Sequence, residues 1–313
     1  MDNFDRQETE SGFINRLRKP TPTIASGGSF SLAILLPSVV VVAFVLTFSI
    51  AGLLVEGYEK TEWWKYFSYA VTPLSFALLA GLYLKARKLN IASESKKQCC
   101  HWKYYILALG MQIGLFALSE VNGYFLSWLE RFGYQAHDIN LPSLDGFGVV
   151  GVLFVIAVLP AVFEEIIFRG TVLSGLKRNF TLPVAVLLCG GLFALYHQRP
   201  EQTVYQFLCG SAYALLALRS GSVLPTILAH FMNNATIILL YANGITAIPM
   251  PVFITLLIVG GAMIIGVLAY LIFIDKSKTT LSKPTQKKDF FLSALPGILV
   301  VLIGWITTLF AGF

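Results

Sequence analysis

Charge is what this sequence has least of. Only 13% of its 313 residues are Asp, Glu, Lys or Arg, while 56% are hydrophobic, and the mean hydropathy is +0.71. That balance excludes an ordinary water-soluble domain and points to a polytopic membrane protein. Cysteine is scarce as well. Cys189 and Cys209 fall in apolar runs, and the adjacent pair Cys99 and Cys100 falls on the side expected to face a reducing compartment, so four cysteines make no disulfide framework; free thiols are favoured over juxtamembrane palmitoylation. The first 30 residues contain no short apolar core followed by a small-residue cleavage site, which argues against a cleaved secretory leader. No period marks a solenoid, no H-E-x-x-H run marks a zinc protease helix, and no paired interrupted helices mark an inverted-repeat transporter.

What is present is a series of apolar runs. A spanning helix needs about 20 mainly apolar residues, and nine candidates occur: Ser31 to Leu54, Tyr66 to Leu84, Tyr104 to Leu129, Phe147 to Leu176, Leu182 to Tyr196, Thr203 to Leu218, Val223 to Tyr241, Val252 to Ile274 and Phe290 to Phe310. The fifth and sixth are short, so the expectation is an all-α bundle of eight to nine spans. With the N-terminus inside, nineteen of the 23 Lys and Arg residues fall on inner segments or the adjoining helix ends, as the positive-inside rule requires. Topology thus accounts for the net charge of +6, and nucleic acid is not an expected partner; the lipid bilayer is. The chain divides into a cytoplasmic tail (1–30), N-terminal transmembrane helices (31–146), a polar-bearing core (147–241) and C-terminal transmembrane helices (242–313).

Within the core, three short stretches interrupt the apolar pattern. "AVFEEIIFRG" carries Glu164, Glu165 and Arg169. An ionisable residue at the bilayer centre costs about 2.5–3.5 kcal/mol on insertion scales, so such groups are paired, solvated by a cavity, or functional. Glu165 and Arg169, four residues apart, share a helix face and are expected to pair; Glu164 lies about 100° away and faces something else. "GGLFALYHQRP" then places Phe193 and His197 on one face, and "LPTILAHFMNN" does the same for His230 and Asn234. A rise of about 1.5 Å per residue puts Glu164, His197, His230 and Asn234 roughly 12 to 22 Å from the inner ends of their helices. Three helices therefore bring polar groups to overlapping depth.

Glutamate with histidine can activate a water as general base and later protonate a leaving amine, and Asn with a second His can donate to a developing oxyanion. No nucleophile is required: Ser174, Ser211 and Ser222 have no obvious base beside them in sequence. Two His and a Glu could also hold zinc with one open position, although the histidines come from different helices; a water activated without metal is the favoured reading, with no cofactor expected. Gln112, Glu120 and Asn122 in the third run suit buried packing or a water path, and Gly190, Gly191 and Gly210 suit close helix approach.

The ordered set Glu164-Glu165-x-x-x-Arg169, Phe193-x-x-x-His197 and His230-x-x-x-Asn234 resembles the Abi family of CAAX-protease and bacteriocin-processing proteins, whose eukaryotic members are type II CAAX prenyl endopeptidases. The resemblance covers roughly Phe147 to Tyr241, under a third of the chain. It implies an intramembrane, metal-independent glutamate endopeptidase acting on a peptide or protein substrate, prenylated substrates included. Carried over by position, Glu164 would activate water, His197 would be its partner, and His230 with Asn234 would form the oxyanion site. Glu165, Arg169 and Phe193 would support the geometry. The alternative class is a membrane scaffold or bacteriocin-immunity protein that uses the same cluster to bind a partner. A bacterial plasma membrane is the expected location, with the endoplasmic reticulum as the alternative.

Overall fold

The computed structural model describes residues 22–50, 52–53, 56–86, 98–136, 139–245, 248–275 and 287–313. Among the described residues there are ten longer helices, α1 (Pro22–Ile50), α2 (Glu62–Ala86), α3 (Lys103–Ala117), α4 (Ser119–Glu130), α5 (Gly148–Asn179), α6 (Leu182–Tyr196), α7 (Thr203–Ser220), α8 (Leu224–Ala242), α9 (Met250–Ile274) and α10 (Lys287–Ala311), with short 3-10 turns at Tyr58–Lys60 and Pro200–Gln202. No strand occurs among the described residues. Pro183, Pro225 and Pro251 stand in the first turns of α6, α8 and α9, where a missing N–H costs nothing and the fixed φ favours helix.

Among the described residues each of the nine apolar runs lies mostly on helix, with differences that have physical causes. Among the described residues, seven helical stretches are long and apolar enough to cross a membrane, the third of them running through α3 and α4 and broken at Leu118; α6 is a shorter apolar helix of 15 residues. The sixth run, α7, is not among the seven. It carries Thr203, Gln206 and Ser211 and buries much of its length among other helices, so its sequence is tuned to protein neighbours more than to lipid. The protein is an integral membrane protein with an all-helical fold. Much of the basic pattern that set the expected orientation, including Arg6, Arg16, Arg18, Lys19, Arg87, Lys88, Lys96, Lys97, Lys276, Lys278 and Lys283, lies outside the described residues.

The first helix starts at Pro22, well before the expected Ser31. The stretch "SGGSF" looks like a polar tail, yet its small residues form a close crossing. A Cβ on Gly27 would lie 2.5 Å from the Phe290 carbonyl oxygen, and one on Gly297 would lie 2.7 Å from the Ser31 Cα, so α1 and α10 touch backbone to backbone. Ser31 Oγ donates to the Ser293 carbonyl at 2.8 Å, and Ser26 Oγ donates to the Thr171 and Val172 carbonyls of α5 at 2.7 and 2.9 Å. Small residues and interhelical hydrogen bonds are what drive association where lipid removes the hydrophobic incentive.

Around this crossing, α2 packs on α1 and α5, α3 on α8 and α9, and α6 on α7. The main core is formed by Phe168, Phe193, Tyr213, Leu216 and their neighbours from α5, α6 and α7, and it surrounds the polar cluster. Ile258, Ile265, Leu299 and Ile303 are exposed on α9 and α10, as lipid-facing positions of a bundle are.

The helix that carries the glutamates is not a regular α-helix. Residues Leu153–Val158 and Ile166–Val172 are wound as π-helix, and Leu159–Glu165 between them is α. Pro160 supplies one cause: it has no N–H for the carbonyl of Ile156, four residues back. The Asn234 side chain of α8 donates to that carbonyl at 3.0 Å. Such widened turns recur at functional sites.

Candidate active site

Glu165 is fully buried, and its Oε1 accepts from Arg169 Nη1 at 2.8 Å. The expected pair therefore forms, across the second π segment. Arg169 Nη2 donates to the Gly210 carbonyl at 3.1 Å, and the guanidinium carbon lies 4.3 Å from the centre of the Phe193 ring. The same ring meets His197 edge-on at 4.7 Å and His230 at 5.9 Å. Phe193 is thus a platform against which a cation and two imidazoles are fixed, a task a branched aliphatic side chain does not perform. Close approach of α6 and α7 places it there: a Cβ on Gly190 would lie 2.8 Å from the Ser211 nitrogen, and one on Gly210 would lie 2.9 Å from the Gly190 Cα, whereas Gly191 faces open space.

Glu164 is positioned differently. Its Oε1 accepts from Tyr196 Oη at 3.3 Å, and its buried Oε2 has no hydrogen-bond partner among the described residues. The carboxylate lines a cavity of about 490 Å³ together with Tyr196, His197 and Gln198; the facing wall comes from α1 and α2. His197 ends α6, and its Nδ1 stands 2.8 Å from the Phe193 carbonyl oxygen. A carbonyl only accepts, so Nδ1 carries the proton and Nε2 is left as an acceptor. Glu164 and His197 make no hydrogen bond to each other, and both border the same cavity. The next residue, Gln198, which also lines the cavity, has φ 51°, a conformation uncommon outside glycine, and it follows directly on the end of α6.

His230 and Asn234 stand behind this pair and are not part of the cavity wall. His230 Nδ1 is 3.0 Å from Glu165 Oε1, and its Nε2 is 3.9 Å from Glu164 Oε2, so the ring bridges the two glutamates. Its face lies along Tyr213, with centroids 6.0 Å apart. Asn234 gives one N–H to the Ile156 carbonyl and accepts from Asn233 Nδ2 at 3.1 Å. Asn233 Oδ1 in turn accepts from Gln112 Nε2 at 3.0 Å and Tyr205 Oη at 2.9 Å. Gln112 and Asn122 are therefore packing groups, the latter bonded to the Glu201 carbonyl and to Tyr205 N, while Glu120 is exposed. The four cysteines are free, Cys189 and Cys209 buried. Among the described residues, no group of three His, Cys, Asp or Glu side chains is arranged to hold a metal ion.

Sequence reasoning missed Tyr196. Its hydroxyl reaches Glu164 from another helix, and nothing in the spacing marks that contact. It also missed Asn233, hidden beside the more conspicuous Asn234.

A helical membrane bundle with two adjacent buried glutamates, one ion-paired and one facing a cavity with a histidine, defines the general class. Residues 146–236 match the family model described as type II CAAX prenyl endopeptidase Rce1-like, consistent with the Abi resemblance. The match runs from the start of α5 into α8 and contains every residue of the cluster, under a third of the chain. No curated protein and no solved structure matches the chain.

Proposed function

We propose that this protein is an intramembrane endopeptidase in which Glu164 and His197 activate a water held between them. The observation that carries the reading is the asymmetry of the two glutamates. Each has one buried oxygen without a hydrogen-bond partner among the described residues, but Glu165 gives its other oxygen to Arg169 and His230 and lies off the cavity, whereas Glu164 gives its other oxygen only to Tyr196 and lines the cavity together with His197. In the reaction, His197 Nε2 accepts a hydrogen bond from the water and Glu164 takes its proton as the oxygen attacks the peptide carbonyl carbon. The proton then passes from Glu164 to the amide nitrogen as the C–N bond breaks, giving a carboxylate and an amine. Tyr196 holds the carboxylate in place. The contacts of His230 and Asn234 favour a positioning role for both: His230 orients the glutamates, and Asn234 fixes the carbonyl freed by Pro160. As oxyanion donors they would have to leave those partners.

The substrate proposed is a peptide bond carried close to the membrane on an apolar or lipid-bearing segment, because the wall opposite Glu164 is mainly apolar, with Ala33, Ile34, Val42 and Val71 outnumbering its few hydroxyls. A farnesylated CAAX-type peptide is the first to test, given to detergent-purified wild type, Glu164→Gln and His197→Ala, each with and without a chelator. Cleavage by the wild type under chelation and none by Glu164→Gln is the expected result. Equal cleavage by all three proteins overturns the assignment, and loss of wild-type cleavage on chelation overturns its metal independence.

A further inference from the structure

A second cavity, of about 180 Å³, opens on the far side of Arg169, between the C-terminal ends of α5 and α7 and the turn into α8. This is the face that the Lys and Arg distribution assigns to the inside. It has room for several waters or for one oxyanion of phosphate size. Arg169 forms part of its wall and Lys177 lies two turns further along the same helix; no Asp or Glu lines it.

The polar groups there are unevenly matched. The acceptors are committed to the protein itself: Gln98 Oε1 takes the Val223 N–H at 3.0 Å, and the Ser222 hydroxyl donates to the Gln98 carbonyl while accepting from Leu224 N at 3.1 Å. The cationic donors are committed only in part: Arg169 Nη1 and Nη2 are taken by Glu165 and by the Gly210 carbonyl. Arg169 Nε, on a residue only 4% exposed, has no hydrogen-bond partner, and Lys177, half-buried, forms no ion pair among the described residues. A buried donor without a partner costs roughly 1–3 kcal/mol, and since Glu165 balances Arg169, the Lys177 ammonium is the charge in this pocket that no lining carboxylate meets. Guanidinium and ammonium groups together suit a tetrahedral oxyanion, which accepts from both.

We propose that this pocket binds a phosphate group, with Lys177 and Arg169 as its cationic donors. The phosphate belongs either to an anionic lipid head group, since the pocket opens where α5 ends, or to a free phosphate ion. Arg169 also carries Glu165, so the bound anion and the catalytic cluster share one guanidinium.

The test uses the full chain in detergent and does not depend on protease activity. Unfolding midpoints are measured with inorganic phosphate against chloride at matched ionic strength, and retained lipid is measured by native mass spectrometry after exchange into phosphatidylcholine alone or with phosphatidylglycerol. Lys177→Gln and Lys177→Arg accompany the wild type. A rise of a few degrees with phosphate that Lys177→Gln loses and Lys177→Arg keeps identifies a free-phosphate site. Selective retention of phosphatidylglycerol with the same variant pattern identifies a head-group site. No anion effect in the wild type, or the same effect in Lys177→Gln, overturns the proposal and leaves a pocket of water.

Discussion

One wall of the larger cavity, from α5 and α6, presents Glu164, Tyr196 and His197, and each makes a defined hydrogen bond: Tyr196 to Glu164, and His197 to the Phe193 carbonyl. The opposite wall, from α1 and α2, is mainly aliphatic. Two of its three hydroxyls turn back on their own helices, Ser38 to the Ile34 carbonyl at 3.0 Å and Ser68 to the Lys65 carbonyl at 2.8 Å. The family match at 146–236 takes in the first wall and none of the second. The difference separates two tasks: the polar wall is where a bond can be broken, and the aliphatic wall is where a substrate can be recognised. Substitutions on the two should therefore act on different kinetic constants.

The largest expected effect is on the polar wall. Glu164→Gln removes the proposed base and should lower kcat by about 10²–10⁴ with KM little changed, measured as single-turnover peptide cleavage. Next comes the support behind that wall. Arg169→Leu leaves Glu165 buried without its cation and should cost roughly 3–5 kcal/mol of stability, read as a loss of folded protein in thermal unfolding; an unchanged midpoint would show that His230 alone suffices for Glu165. Tyr196→Phe deletes one hydrogen bond to a carboxylate, worth about 1.5–3 kcal/mol, and should lower kcat about tenfold while leaving the fold intact. On the aliphatic wall, Val42→Trp fills space in front of Glu164, and a severalfold rise in KM with kcat preserved is expected. If kcat falls instead, the two walls do not divide the work.

The smallest effect lies outside the cavity, in the turn between α6 and α7. Burial alone would raise the Glu201 carboxyl, but the Tyr134 hydroxyl at 2.7 Å and Arg199 Nε at 2.7 Å hold it below its ordinary value of 4.5. A carboxylate lowered by folding stabilises the protein above its unfolded value, and that contribution disappears as pH falls through the folded one. The unfolding midpoint should therefore drop on acidification below about pH 4.5, and Glu201→Gln should flatten that part of the curve.

The pairing of Glu165 with Arg169 was legible because it depends on helical periodicity alone, and so was the freedom of Glu164. The overlapping depth of Glu164, His197, His230 and Asn234 came from counting residues along helices. What spacing cannot encode is where side chains of different helices meet. Tyr196 on Glu164, Asn234 on the Ile156 carbonyl and His230 on Glu165 are all contacts between helices. The π segments of α5 were equally invisible: hydropathy reports that Leu153 to Val172 is apolar and says nothing of the number of residues per turn. The "SGGSF" stretch was misread for a related reason, since serine and glycine signal a flexible tail in water and a helix contact in a membrane.

That contact bears on how the molecule is made. Ser31 on α1 and Ser293 on α10 are 262 residues apart in the chain, so synthesis places α1 in the bilayer long before α10 exists. Until then Gly27 and the Ser31 hydroxyl lack the partner surface that fits them, while the polar cluster of α5, α6 and α8 is already complete. The last helix therefore closes a structure whose reactive centre has been assembled ahead of it, and the rate of that closure sets how long an unfinished copy leaves its first helix without its mate.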